Sequence, residues 1–229
     1  MKPTIHAGMA TMPSRKRTAR LAIRSILPQV TRLYLYLDGF DSVPSFARHP
    51  KIVVLRSQDY PGLNANGKLL GMIFTGQEGY YVTVDDDYWY PRRFVSRLWK
   101  QRLAIRQSLV IGVHGCILKS PFKSYLKDRT IFTSWKPLPE TKSVDVVATC
   151  GTLHDLADLC FDVRNWNVTN QVDLHFAQEM KAAGVTGAVV CRGWFWLVPL
   201  RWSQSDSIFA ALKRNDEAQT ALARKIFIC

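Results

Sequence analysis

The sequence predicts an α/β fold: a mixed, mostly parallel sheet flanked by helices in a single domain. Short apolar, β-branched runs alternate with segments whose apolar residues recur at helical spacing. At 229 residues, the chain is long enough for one substantial core. With 47% hydrophobic and 21% charged residues, its composition is that of a folded globular protein rather than a disordered one. Strands separated by helices predict parallel pairing through right-handed crossovers.

The first part of the chain predicts four strands with helices between them. Apolar residues at helical spacing predict a helix over 15–27, which Pro28 ends. A polar loop over 62–67, rich in glycine and asparagine, precedes a second predicted helix over 68–74. The predicted strands cover residues 4–10, 33–37, 51–55 and 80–84.

The second part predicts further strands and three helices. A basic amphipathic helix is expected over 92–105, and another over 172–183 ends at Gly184. A C-terminal helix is expected over 207–226, whereas the weak pattern over 120–142 predicts loops. The predicted strands cover residues 109–115, 144–149 and 187–191.

The charge of the chain predicts an anionic partner. Thirty-one Lys and Arg against eighteen Asp and Glu give a net charge of +13, and the basic residues recur throughout the chain. Nucleic acid, anionic lipid headgroups and acidic or phosphorylated glycans would all suit such a surface. Charge alone does not choose among them.

The cysteines and the apolar runs favour a cytoplasmic location. Five widely spaced cysteines without a CxxC pair are typical of small buried side chains in a reducing compartment. The N-terminus shows no apolar signal region, and no apolar run reaches the roughly 18 residues that span a bilayer.

Three consecutive carboxylates follow the predicted strand 80–84. Side chains alternate along an extended chain, so Asp85 and Asp87 are expected to point the same way and Asp86 elsewhere. Hard cations such as Mg²⁺ and Mn²⁺ prefer oxygen ligands and commonly bridge carboxylates to substrate phosphates. A metal-diphosphate site is the hypothesis; solvated loop residues, or partners for Lys and Arg, are the alternative.

Other polar residues follow neighbouring strands and are expected at the same sheet edge, where open α/β sheets bind ligands. They are residues 11–15, Asp38, and the pair Gly67 and Lys68. A nucleotide across this edge would place Asp38 on a base N–H and Lys68 near phosphate oxygens, with the aspartates on ribose and metal. The chain lacks the GxxxxGK[ST] and GxGxxG motifs, so neither P-loop phosphoryl transfer nor ordinary dinucleotide chemistry is indicated.

A series of short motifs in order, between about residues 4 and 200, resembles nucleotide-sugar glycosyltransferases of the GT-A fold. The resemblance is closest to bacterial family 2-like enzymes of surface-polysaccharide synthesis. The matching residues are Ala10-Thr11-Met12-Pro13-Ser14-Arg15, Tyr36-Leu37-Asp38-Gly39, Gly67-Lys68, Val84-Asp85-Asp86-Asp87, His114-Gly115, Tyr125-Leu126-Lys127-Asp128-Arg129, Cys150-Gly151-Thr152 and Val172-Asp173-Leu174.

The resemblance implies a metal-dependent, inverting transfer from a UDP-linked sugar to a glycan or lipid-linked glycan. It implies a domain over 1–204, with a nucleotide-binding half over 1–91 and an acceptor half over 92–204, and a helical tail over 205–229. Asp87 would be the main ligand for Mn²⁺ or Mg²⁺, Asp85 would reach metal or ribose, and Asp173 would be the general base. The donor site would comprise Thr11, Met12, Arg15, Asp38, Gly67, Lys68, Asp85 and Asp86, and the sugars would contact His114, Gly151 and Thr152.

Each assignment has a simpler alternative. Asp173 could be a helix-start residue favoured by the dipole, Lys68 a solvated cation, and His114 a turn residue. The chain also departs from the pattern of the family it resembles, because it lacks an obvious late histidine for the metal. His154 and His175 are the candidates for that ligand.

The segment 192–202 combines three tryptophans with two arginines. Such aromatic and basic segments suit a bilayer interface, which predicts peripheral association with the inner leaflet, where a lipid-linked acceptor would reside. The alternative is that these aromatics complete the core.

Two other functions fit part of the sequence. A sugar nucleotidyltransferase also needs paired aspartates and a metal on an α/β sheet. A basic nucleic-acid-binding module would use the net charge. That module leaves the acidic trio unexplained, so no nucleic acid partner is expected.

Overall fold

The computed structural model describes residues 3–105, 107, 109–166, 171–200 and 215–228. The main sheet has eight strands in the order β3-β2-β1-β4-β11-β6-β12-β9, and two small sheets have the orders β10-β7-β8 and β13-β5. The strands are β1 (Ile5–Thr11), β2 (Arg32–Leu37), β3 (Ile52–Arg56), β4 (Tyr80–Val84), β5 (Tyr88–Trp89), β6 (Leu109–Gly112), β7 (Gly115–Leu118), β8 (Arg129–Phe132), β9 (Lys142–Val144), β10 (Val146–Val147), β11 (Gly151–Asp155), β12 (Thr186–Val189) and β13 (Val198–Pro199).

Most strands of the main sheet run in one direction. The pairs β1–β2, β2–β3, β1–β4 and β6–β12 are parallel. Strand β11 is antiparallel to both β4 and β6, and β9 is antiparallel to β12. The predicted fold class, α/β with a mixed, mostly parallel sheet, is therefore confirmed.

Helices and one long 3₁₀ segment cover the two faces of the sheet. The helices are α1 (Lys16–Ile26), α2 (Phe94–Ala104), α3 (Val172–Ala182) and α4 (Glu217–Phe227), and the 3₁₀ segment is Asn64–Phe74. Because side chains alternate along β2, Leu35 joins α1 and α2 in one core cluster, whereas Tyr36 joins the 3₁₀ segment and α3 in another. The sheet is thus the middle of three layers.

Most predicted elements lie within a few residues of the observed ones. The strand prediction for 80–84 coincides with β4, and α1, α2 and α3 lie inside the predicted helices. The observed α4 lies largely within the predicted helix over 207–226, of which residues 207–214 fall outside the described part. The predicted loop over 62–67 was wrong from Asn64 onward, because the 3₁₀ segment Asn64–Phe74 begins there. The stretch 68–74 is helical as predicted, but it is part of that 3₁₀ segment and not a separate helix.

Two predicted strands were wrong because the chain changes sheets inside them. The stretch 109–115 divides at His114 into β6 and β7, and the stretch 144–149 divides at Asp145 into β9 and β10. The Asp145 carboxylate accepts a 2.7 Å hydrogen bond from the backbone N–H of Leu118, which links the two segments at this corner. These changes of sheet create the second wall of the cleft described below.

Four strands were missed: the two-residue strands β5 and β13, and the longer strands β8 and β11. The loops predicted over 120–142 contain β8, which pairs with β7. No strand was predicted at the Gly151-Thr152 pair, yet this pair begins β11, which lies between two buried strands. Close packing explains the glycine in this strand. A Cβ on Gly151 would come within 3.1 Å of Phe94 and 3.0 Å of Val113, so a residue without a side chain fits best.

The C-terminal helix packs against α3. Ala223 and Ile226 of α4 share a third core cluster with Leu174 and Ala177 of α3. The Asp216 carboxylate accepts hydrogen bonds from the Ser124 hydroxyl and from the backbone of Leu126, at 2.6 and 2.8 Å. This helix therefore holds the loop that carries Tyr125.

The thiols behave largely as small apolar side chains. Cys116 and Cys150 are buried, Cys160 and Cys191 are partly buried, and none of these four forms a disulfide. Cys229 lies outside the described residues.

Candidate functional site

A cleft of about 930 Å³ opens at the carboxyl ends of the parallel strands. The amino end of the antiparallel strand β11 meets the same edge, because Gly151 pairs with Val84. Ten of the residues predicted for the site line this single cleft: Thr11, Met12, Arg15, Asp38, Lys68, Asp85, Asp86, Asp87, His114 and Asp173. The convergence of the first eight is what the strand-end argument predicted, whereas His114 and Asp173 were expected there only from the resemblance.

Three predicted residues do not line the cleft. Gly67 lies under the ring of Tyr36, where a Cβ would approach Cδ1 to 2.2 Å, so this glycine serves packing. Thr152 is fully buried within β11, and its hydroxyl lies 2.5 Å from the Thr83 hydroxyl of the neighbouring strand. Gly151 is buried beside it. The structure does not place these residues where a sugar could touch them.

Neither candidate histidine for a metal ligand reaches the cleft. His154 is fully buried in the opposite part of β11, with its ring 6.0 Å from Tyr81 and 5.7 Å from Phe176. The ring of His175 lies 5.1 Å from the ring of Trp166, away from the aspartates. Both belong to aromatic packing, which is the more common role of an isolated histidine.

Lys68 is placed in the cleft by close packing of the 3₁₀ segment on β1. The Tyr81 hydroxyl donates a 2.8 Å hydrogen bond to the Lys68 carbonyl. A Cβ on Gly8 would lie 1.8 Å from the same carbonyl, so only glycine permits this approach. The side chain of Lys68 is consequently buried, with 7% exposure, and is not the solvated cation of the simpler alternative.

A chain of polar contacts connects the two walls of the cleft. Lys68 Nζ forms an ion pair with Asp85 Oδ1 and lies 3.4 Å from the Thr149 hydroxyl. That hydroxyl and the Thr149 backbone N–H each donate a 2.8 Å hydrogen bond to Asp173 Oδ1. Burial opposes the charge of Lys68, but Asp85 more than compensates and raises its pKa overall. Lys68 thus remains cationic between two acidic groups.

The acidic trio carries more negative charge than its neighbours neutralise. Arg15 lies 3.7 Å from Asp87. Even so, burial, followed by the like charges of Asp85 and Asp86, raises the pKa of Asp87 to about 7. Burial chiefly raises the pKa of Asp86 to about 6. This cluster favours an additional cation.

The backbone of the trio is fixed by a buried tyrosine. The backbone N–H of Asp85 donates a 2.7 Å hydrogen bond to the Tyr90 hydroxyl, which donates in turn to the Cys150 carbonyl at 2.9 Å. Because Tyr90 is 1% exposed, this contact is shielded from water. The aspartates therefore project from a rigid turn.

Removing the charge of Asp87 is expected to stabilise the protein. Between about pH 4 and 7 the folded state binds more protons than the unfolded state, so the free energy of unfolding falls as pH rises. In EDTA, Asp87→Asn should be more stable than wild type by about 1–2 kcal/mol at pH 8, with no gain at pH 4. Urea unfolding at both pH values checks this, and equal or lower stability of the variant at pH 8 would contradict it.

The donor atoms of the trio fit a hard cation. Within the described ranges, no three His, Cys, Asp or Glu side chains converge to form a metal site of protein ligands alone. Carboxylate oxygens are nevertheless the ligands that Mg²⁺ and Mn²⁺ use when substrate phosphates complete the shell. Asp87 and the second oxygen of Asp85, which does not contact Lys68, supply such ligands.

Asp173 is held in a defined orientation in the first turn of α3. Its Oδ1 accepts both hydrogen bonds from Thr149. Its Oδ2 accepts none within the described part of the chain, and the residue is only partly buried. One oxygen is therefore fixed, and the other can accept a proton from a group in the cleft.

His114 lines the second wall of the cleft, to which strands β7 and β8 of the three-stranded sheet contribute. Burial is the main cause that lowers its pKa to about 4, so the imidazole is neutral at pH 7. Its ring lies 6.2 Å from the ring of Trp135, which is 44% exposed and also lines the cleft. The wall thus offers a neutral hydrogen-bonding group beside an aromatic surface.

Sequence reasoning gave no role to four residues that shape the site: Thr149, Tyr90, Trp135 and Arg129. Arg129 belongs to a matched motif, and Thr149 directly precedes another, Cys150-Gly151-Thr152. Trp135 stood in a region with a weak pattern and gave no signal. Only the fold brings Thr149, Trp135 and Arg129 to the cleft and places Tyr90 beneath the trio.

The aromatic segment 192–200 combines buried and exposed residues. Trp196 and Arg192 are buried, whereas Trp194 and Phe195 are 62% and 74% exposed. Trp202 lies outside the described residues. At its end the segment joins the cleft, because the Leu200 N–H donates a 2.7 Å hydrogen bond to the Asp87 carbonyl.

The comparisons with known proteins found no relative. The chain matches no protein-family model, and no curated protein has a matching sequence. Among the described residues, no helix is both long and apolar enough to cross a bilayer.

Proposed function

We propose that this protein is a GT-A-type glycosyltransferase that moves a sugar from a UDP-linked donor to a glycan acceptor. The observation that supports it best is one cleft with an acidic trio on one wall and an oriented, accessible carboxylate on the other. Lys68 and Thr149 connect them. The choice of a UDP-linked sugar as donor comes from the resemblance in sequence.

In the proposed reaction, Asp173 Oδ2 accepts the proton of an acceptor hydroxyl. The hydroxyl oxygen forms a bond to the anomeric carbon while the bond from that carbon to the β-phosphate oxygen breaks. The nucleoside diphosphate leaves with the bonding electron pair. Attack from the face opposite the leaving group inverts the configuration. A general base contributes about 10²–10⁴-fold in rate.

Charge balance explains how the donor fits an acidic pocket. A diphosphate would be repelled by Asp85 and Asp87, so a divalent cation held by them would supply Lewis-acid stabilisation of the leaving group. Lys68 and Arg15 add fixed positive charge beside the trio. Asp38, also in the cleft, would accept a hydrogen bond from the base.

A sugar nucleotidyltransferase is the second candidate, because it too uses a metal and paired aspartates. Its chemistry needs no general base for a sugar hydroxyl, so it leaves the Thr149–Asp173 arrangement without a role. Nucleic-acid binding is disfavoured because this cleft is lined by five carboxylates: Asp38, Asp85, Asp86, Asp87 and Asp173.

Product analysis tests the proposal. The protein would be incubated with UDP-glucose or UDP-galactose, Mn²⁺ and a mixture of glycan acceptors, and phosphorus NMR would follow the nucleotide. Release of UDP that requires both acceptor and metal is expected. Pyrophosphate formation from a sugar phosphate and UTP would instead establish the nucleotidyltransferase.

We also propose that the protein docks on an anionic membrane through Trp194 and Phe195. Trp194 lines a shallow groove with Arg97 and Lys100 of α2, and both of these basic residues are exposed. Aromatic side chains flanked by cations suit a negatively charged headgroup layer. The same segment reaches the cleft through the hydrogen bond between Leu200 and Asp87. Docking would therefore bring the cleft close to a lipid-linked acceptor.

Replacing both aromatics with serine should reduce membrane binding. In flotation with phosphatidylglycerol vesicles, we expect Trp194→Ser/Phe195→Ser to lose most of the vesicle-bound fraction that wild type shows. Phe74→Ser is the matched control, because Phe74 is 44% exposed at the other end of the sheet. Equal flotation of the double variant and wild type would contradict this docking surface.

A further inference from the structure

Arg129 is a cation in the cleft without a counter-ion. Its guanidinium carbon lies 4.4 Å from the centre of the Tyr125 ring, and Nη1 makes a long contact of 3.9 Å with Cys116 Sγ. Its Nε is buried without a hydrogen-bond partner. No carboxylate in the described ranges lies within ion-pair distance of it. Arg129 is partly buried, and a cation that is partly withdrawn from water and lacks a counter-ion is well placed to pair with an anionic ligand.

Arg129 belongs to the acceptor wall and not to the donor wall. It begins β8, which pairs with β7, and its charge contributes to lowering the pKa of His114. The cations that act on Asp86 and Asp87 are Arg15 and Lys68. In the proposed reaction the donor diphosphate would thus be served by other groups, which leaves Arg129, on the opposite wall of the cleft, for the acceptor.

The same wall carries an exposed apolar surface. Trp135 is 44% exposed and Ile131 is 42% exposed, and both line the cleft. An aromatic face can pack against the C–H face of a sugar ring, as aromatic side chains do in ligand clefts. A planar guanidinium beside that surface matches a carboxylate or phosphate in a bidentate arrangement.

We propose that the acceptor is an acidic glycan, whose ring packs on Trp135 and whose carboxylate or phosphate binds Arg129. This inference rests on the proposed transfer reaction, since it names the substrate class of the same cleft. It accounts for the unpaired guanidinium and for the aromatic surface together. Neutral oligosaccharides would use only the aromatic contact and would bind more weakly.

Binding measurements test this without relying on turnover. The probes are tetragalacturonate for a carboxylate, glucose 1-phosphate for a phosphate, and maltotetraose as the neutral sugar, titrated by calorimetry. Wild type is expected to bind one acidic probe at least about tenfold more tightly than maltotetraose, a difference of 1.4 kcal/mol. Whichever acidic probe binds identifies the anionic group.

Three variants assign the effect to Arg129. Arg129→Gln should remove the preference for the acidic probe, and Arg129→Lys should retain only part of it, because lysine cannot bind in a bidentate manner. Lys119→Gln is the matched control for charge, since Lys119 is exposed and does not line the cleft. Circular dichroism and thermal melting establish that each variant is folded.

The outcomes separate this inference from the proposed function. Binding of UDP with Mn²⁺ should be unchanged in Arg129→Gln; loss of that binding would move Arg129 to the donor site and overturn the inference. An absence of acidic preference in wild type, or its persistence in Arg129→Gln, would also overturn it. Acidic probes that bind through Arg129 while UDP fails to bind would contradict the donor assignment alone.

Discussion

Asp173→Asn is expected to lower sugar transfer by about 10²–10⁴-fold while leaving UDP affinity unchanged. Asparagine cannot take up the proton of the acceptor hydroxyl. Its side-chain oxygen can still accept the two hydrogen bonds from Thr149, so the local structure should persist. Initial rates with saturating donor, together with calorimetric titration of UDP and Mn²⁺, measure the two quantities separately.

Glu179→Gln provides the matched control. Glu179 lies on the same helix and accepts a 2.9 Å hydrogen bond from Trp166 Nε1, which a glutamine oxygen can also accept. It does not line the cleft, so transfer should remain near the wild-type rate. An Asp173→Asn enzyme that kept more than about a tenth of wild-type turnover would contradict the role of general base.

Lys68→Met is expected to cost about 3 kcal/mol of stability and to abolish transfer. The substitution keeps the length of the buried side chain but leaves Asp85 without its partner. Removing one partner of a buried ion pair lowers the free energy of unfolding strongly, because the remaining charge is left uncompensated. It also removes the contact that Lys68 makes with Thr149, which orients Asp173. Urea unfolding and initial rates measure the two effects.

A double variant distinguishes the charge effect from poor packing. Lys68→Met/Asp85→Asn lacks the uncompensated carboxylate, so it should recover most of the lost stability without recovering activity. If the double variant were as unstable as the single one, packing of the lysine stem would be the cause. Wild-type stability in Lys68→Met would show that the ion pair contributes nothing to the fold.

Local patterns in the sequence predicted the parallel part of the fold and the position of the cleft. The alternation of Leu and Tyr along β2 determines which side chains face each layer. Since parallel strands end at one edge, the positions of Asp38 and Asp85 after their strands were enough to bring them together. These parts depend on short-range periodicity, which a single sequence reveals.

The acceptor wall could not be predicted because it depends on long-range pairing. The change of sheet at His114 and the antiparallel insertion of β11 follow from contacts between distant segments. Thr149 reaches Asp173 only because β11 enters the sheet beside β4. Likewise, Gly67 and Thr152 resembled ligand residues in sequence, yet close packing against neighbouring elements explains them.

The most direct test of the metal-diphosphate cleft is calorimetric titration of UDP in Mn²⁺ and in EDTA, with wild type and Asp87→Asn compared. We predict saturable binding to wild type in Mn²⁺, at least about tenfold weaker binding in EDTA, and a similar loss in the folded Asp87→Asn variant. UDP that failed to bind wild type in Mn²⁺, or bound equally under all these conditions, would contradict the account.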